Sequence, residues 1–149
     1  NSIDSHIWYI TIQERISLEG VERGSDFSQT ITGVNYTDNR ILNTLSGSET
    51  TIFSLSDTEG AGTFLSSSLK YARISNYSTD VPVNLKVSSS VEQLNFKIDA
   101  GGSFMVSTSA ITGSILSGSD AVFTYDDIAS IKVEPSGSNA KIEYIIATT

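Results

Sequence analysis

The chain holds one histidine, His6, and no cysteine, which removes most nucleophilic and metal-binding machinery at the outset. A Ser-His-Asp triad needs an imidazole oriented by an acid and aimed at a nucleophile. His6 lies beside a strand-like run among serines so abundant that a serine or aspartate nearby carries no signal, and it reads as a surface imidazole. One imidazole cannot supply the nitrogens of a histidine-based metal site, and thiolate zinc sites and disulfides need cysteine. Carboxylates remain. Asp126 and Asp127 are adjacent, and neighbours in an extended chain point to opposite faces, which opposes their acting on one bond. They read as the end of one strand and the start of a turn. Asp57-Thr58-Glu59-Gly60 begins like a calcium loop but lacks the later bidentate glutamate. Gly60-Ala61-Gly62 lacks the third glycine and following helix of a phosphate-binding turn. The expectation is a protein that is not an enzyme, with no catalytic residue, no metal and no cofactor.

Aromatic side chains leave one binding chemistry open. Trp8, Tyr9, Tyr36, Tyr71, Tyr77, Tyr125 and Tyr144 could include a platform for sugar rings, because a flat apolar ring with a polar edge suits an amphipathic ligand. The core and rim of one sheet-built domain would consume a similar number. Trp8 is unique in the chain and reads as a packing or interface residue. Asn35-Tyr36-Thr37 and Asn76-Tyr77-Ser78 match the glycosylation triplet, a match that serine and threonine at this abundance produce readily by chance.

The elements that must position these residues are strands. With 26 Ser, 15 Thr, 17 Ile and 9 Val in 149 residues, composition favours strands and turns over helices. The length suits one domain, 1–149. Ile7 to Ile12 places Trp8, Ile10 and Ile12 on one face; Thr30 to Tyr36 and Thr50 to Leu55 are further strands, with Gly33 at a bulge. Glu19 to Asp26 and Thr37 to Gly47 read as polar loops. Leu69 to Asn76 is a strand. Val81, Val83, Leu85 and Val87 alternate with polar residues behind Pro82, and Leu94, Phe96 and Ile98 alternate before Asp99-Ala100-Gly101-Gly102, a hairpin turn into Ser103 to Ser107. Ala121 to Tyr125, Ile128 to Glu134 and Ala140 to Ala147 follow, with Glu134-Pro135-Ser136-Gly137 as a second hairpin turn. Gly60 to Leu69 offers at most a turn or two of helix. Nine or ten strands at this spacing predict an all-β, antiparallel β-sandwich, jelly-roll-like, with little or no helix. Residues 1–28 are irregular enough to form an N-terminal arm that packs on a neighbour.

Charge narrows the partners. A formal net charge of -8 opposes a nucleic-acid groove, which needs clustered Lys and Arg. No run is apolar for about 18 residues, so no helical membrane span is expected. Asn-Ser-Ile-Asp-Ser-His shows neither the basic nor the apolar region of a signal peptide.

Lys70-Tyr71-Ala72-Arg73-Ile74-Ser75-Asn76-Tyr77, then Val81-Pro82-Val83-Asn84-Leu85-Lys86-Val87, then Phe96-Lys97-Ile98-Asp99-Ala100-Gly101-Gly102-Ser103-Phe104 resembles small virion proteins of tailed phages, especially those of cyanobacteria and other marine hosts. The resemblance spans roughly residues 69 to 106. It implies a capsid cement or decoration protein on the exterior of the virion, bound to the major capsid protein, itself a homo-oligomer, a trimer by expectation, with no catalytic residue to carry over. The alternative is a fibre or tail accessory, or a carbohydrate-binding module that recognises a host surface glycan. In a cement protein an N-terminal strand that adds to a neighbour's sheet would hold adjacent subunits, and Ile7, Trp8, Ile10 and Ile12 are the expected interface anchors.

Overall fold

In the computed structural model the described residues are 6–56, 63–65, 69–89, 93–107, 112–113 and 126–149. They form β1 (Ile7–Gln13), β2 (Ile16–Leu18), β3 (Val21–Arg23), β4 (Asp26–Thr32), β5 (Tyr36–Thr44), β6 (Thr50–Ser56), β7 (Thr63–Leu65), β8 (Leu69–Asn76), β9 (Val83–Ser89), β10 (Gln93–Ile98), β11 (Ser103–Ser107), β12 (Thr112–Gly113), β13 (Asp126–Pro135) and β14 (Ala140–Thr148). No helix occurs among the described residues. The protein is an all-β sandwich.

One sheet runs β10-β9-β13-β6-β7, with β12 on β13, and the other runs β11-β8-β14-β5. Among the described residues all pairings are antiparallel except the three-residue β6–β7 pair, which is parallel. Period-2 alternation explains why two sheets form. Ile142, Tyr144 and Ile146 of β14 turn to the same side as Ala72 and Ile74 of β8, and meet Val83, Leu85, Ile131, Val133, Ile52 and Leu55 of the opposite sheet. Leu85, Ile142, Ile146 and Val133 are completely buried, and each such side chain contributes roughly 1.5–3 kcal/mol of burial.

Two turns do something other than the sequence suggests. Asp99 to Gly102 is a tight turn, with the Gly102 amide donating to the Asp99 carbonyl at 2.9 Å. It joins β10 of one sheet to β11 of the other, so the flanking strands do not pair. The turn at Pro135 to Gly137 likewise carries the chain from β13 across to β14. Both were expected as hairpins and are crossovers between layers. Turn residues dictate a reversal of direction, and the apolar faces then decide which sheet the next strand joins. With β8 to β9 these crossings make the path jelly-roll-like.

Where loops were expected, strands stand. Thr37 to Gly47 is mostly β5, in register with β14 over nine pairs. Glu19 to Asp26 holds the tip and outgoing strand of a long hairpin. Thr63–Leu65 is strand where helix was considered and Leu69 opens β8; residues 60–62 and 66–68 of that segment and Ala121 to Tyr125 lie outside the described residues.

Candidate interaction surface

The first four strands form one hairpin. Pairing partners sum to 39 from Ile7↔Thr32 to Gln13↔Asp26 and again from Ile16↔Arg23 to Leu18↔Val21, with the Glu14 amide donating to the Ser25 carbonyl between the two stretches. The reversal at Glu19 and Gly20 has φ of 52° and 77°, the left-handed pair of a two-residue type I′ turn. Twelve residues per strand give a length of roughly 40 Å.

Its base lies on the outer face of the β11-β8-β14-β5 sheet. Ile10, Ile31 and Val34 are buried there with Tyr71 and Ala147, and Trp8, Ile12 and Ile145 complete the cluster. The Trp8 and Tyr71 rings stand 5.8 Å apart. Gln29 accepts a hydrogen bond from the Ser107 hydroxyl, so the hairpin crosses β14 and β8 and reaches the edge strand β11. Beyond that bond no side-chain hydrogen bond from the other described residues supports it. Every residue from 13 to 28 is exposed, including Ile16 (53%), Leu18 (50%), Val21 (54%) and Phe27 (55%).

These four share a face with Trp8, Ile10 and Ile31, because strand alternation and cross-strand pairing put even residues of β1 and β2 with odd residues of β3 and β4. The apolar stripe that seats the hairpin on its own body therefore continues outward to side chains that are exposed among the described residues. Across the strands Arg15 donates to Asp26 at 2.8 Å and faces Glu22 at 3.6 Å. Such exposed pairs stabilise by under about 1 kcal/mol each, and they tie the projecting strands together.

The expected anchors divide accordingly. Trp8, Ile10 and Ile12 pack against the chain's own body, which leaves buried Ile10 no surface for a partner. Ile7 is 43% exposed on the opposite face. The exposed apolar surface sits farther out, within the expected arm of residues 1–28, at Val21 in the segment read as a loop and at Ile16, Leu18 and Phe27, which were assigned to no element. Alternation of Ile16, Leu18 and Val21 around Glu-Gly was the signal that could have found it.

Comparison with protein-family models and with curated proteins returns no match. The surface is therefore judged on its chemistry.

The remaining candidates disperse. His6 is exposed, and its carbonyl accepts from the Val34 amide. Asp126 and Asp127 open β13, opposite Gly113 and Thr112, and so begin a strand where the end of one was expected. Asp57 to Gly62 lies outside the described residues, as does Tyr125. Tyr71 and Tyr144 are buried, whereas Tyr9, Tyr36 and Tyr77 are exposed at separate places. Among the described residues no group of three His, Cys, Asp or Glu side chains could hold a metal ion. A charge cluster on the face of the other sheet pairs Lys86 with Glu49 at 2.6 Å and Glu134 at 2.9 Å, and Lys132 with Glu49 at 3.3 Å. Those hydrogen bonds hold the Glu49 carboxyl below its usual range and the Lys86 ammonium above its own. Every charge there is matched, which suits a stable surface better than a reacting one.

Proposed function

We propose that the protein is a structural component of a virion shell, a cement or decoration protein that binds the major capsid protein on the capsid exterior through its projecting hairpin. The supporting observation is the exposed stripe of Ile16, Leu18, Val21 and Phe27 at the end of a two-stranded arm. Apolar residues exposed together on a soluble surface mark an interaction site, and a hairpin presents both a free strand edge for main-chain pairing and side chains for a groove. The resemblance of residues 69 to 106 to small phage virion proteins supplies the kind of neighbour.

The test is the triple variant Ile16→Ser, Leu18→Ser, Val21→Ser. It leaves the base of the hairpin untouched, so folding is preserved, and co-sedimentation with capsid shells should fall at least tenfold. Particles carrying it should lose heat tolerance to the level of particles without the protein. Undiminished co-sedimentation would refute the reading.

A second reading rests on a separate groove of about 500 Å³ lined by Asn43, Tyr77, Asp80, Asn139 and Lys141. An exposed tyrosine ring among amide, carboxylate and ammonium groups is suited to a glycan. Tyr77→Ala would then abolish retention on a host-glycan column and leave capsid binding intact.

A further inference from the structure

Among the described residues the four edges of the two sandwich sheets are β7, β10, β11 and β5. The first three have three, six and five residues. β5 has nine, without proline, and pairs with β14 in unbroken register. A long regular edge offers unpaired amides and carbonyls to any strand that approaches, and proteins usually guard such edges with charge or irregularity. Here the guard is selective. Asp38 and Arg40 flank Asn39 on one face, with Arg40 Nε donating to Asp38 at 3.2 Å and Tyr144 donating to the other Asp38 oxygen at 2.9 Å. Arg40 is presented along the edge with its side chain 64% exposed, and Asp38 lies beside it at 16%; charge along an edge repels or strands a foreign β-strand.

We propose that β5 is a self-association edge, at which two copies pair antiparallel about a two-fold axis passing through Asn39. In that register Asp38 stands opposite Arg40 of the second copy, Arg40 opposite its Asp38, Tyr36 opposite Leu42 and Thr37 opposite Ile41. Each charge finds its opposite twice over, as an isologous contact requires. The Arg40 side chain is 64% exposed, with its guanidinium at the edge a second copy would meet. Tyr36 and Ile41, exposed at 50% and 56%, become covered. The result is a continuous eight-stranded sheet, β11-β8-β14-β5 joined to its copy, spanning roughly 34 Å across the strands. Each arm reaches β11, the edge farthest from the axis, so a dimer carries its two arms at opposite ends. The pairing is independent of what the arms bind, and it predicts two-fold assembly in place of the trimer expected from resemblance.

The absence of cysteine permits a register-specific test on the full chain. Across the axis, opposed Asn39 residues have Cα atoms within disulfide range, about 4.5–5.5 Å, whereas two Thr37 residues are separated by about 13 Å. Under mild oxidation Asn39→Cys should become a covalent dimer, and Thr37→Cys should not. In sedimentation the wild type should be dimeric, and Arg40→Glu or Asp38→Arg alone should raise the dissociation constant at least tenfold. Mixing the two variants should restore a heterodimer, because both cross-pairs are again opposite in sign. A monomeric wild type, or equal cross-linking at both positions, would overturn the proposal.

Discussion

Asn76 shows how much one polar side chain can organise. Its Nδ2 donates to the carbonyls of Val81 at 2.8 Å and Ile98 at 3.2 Å, and its Oδ1 accepts from the Ser78 amide at 3.1 Å. It is 1% exposed. The amide thus fastens the crossover after β8 to the ends of two strands in the facing sheet. Asn76→Ala should cost about 2–3 kcal/mol, since buried carbonyls lose their donors, and a urea titration would measure it. The same burial takes Asn76 out of the glycosylation triplet it formally begins, whereas Asn35 is exposed. Tyr144 gives a pH signature. Burial, then the hydrogen bond to Asp38, pushes its phenol up to about 12 from 10. The fold therefore favours the neutral phenol. That contribution is complete below pH 10 and is lost as pH rises from 10 to 12. The denaturation midpoint of the wild type should fall across this window more steeply than that of Tyr144→Phe. Nothing in the sequence distinguishes Asn76 or Tyr144 from their neighbours, because their partners come from strands distant along the chain.

Among elements, the hairpin was half legible. The stretch Ile7 to Ile12 declared itself by alternation, and β4 was visible only from Thr30 onward. The outer half was hidden because Glu14, Arg15, Ser17, Glu19, Glu22 and Arg23 dilute its apolar residues, and polar, glycine-bearing segments resemble loops. Its geometry depends on Gly24. At φ of 146° an added Cβ would lie 2.0 Å from the Glu14 carbonyl oxygen, so any side chain must push the strands apart. Gly24→Ala should leave the melting temperature within about 1 °C of wild type, because residues 13 to 28 are exposed and add little to the core. It should also accelerate tryptic cleavage after Arg15 and Arg23 several-fold. The turns at Gly101 and Gly137 make the complementary point. Their residue types revealed where the chain reverses, and only the burial of Ile98, Val133, Ala140 and Ile142 between the layers determined that the next strand changes sheet.

For the whole molecule, period-2 patterning was enough to identify a sandwich, because β9 and β14 present apolar sides from Val83 to Val87 and from Ala140 to Ile146. Sheet membership and the reach of the arm were not legible, since both depend on faces that meet only after folding. The position of β14 has a further bearing on how the protein is made. This strand lies between β5 and β8 and is the partner of both, yet it is synthesised after them. During translation β5 and β8 emerge with no strand to join them, whereas the hairpin, whose pairs are close in sequence, closes at once. Late closure of distant pairings is slow and exposes sticky intermediates. Removal of residues 140–149 should consequently yield insoluble protein with a structured arm and no sandwich, as limited proteolysis of the refolded pellet would show. The growing chain reaches out before it has a body, and early contact with a neighbour through the arm would protect the nascent sheets until their central strand arrives.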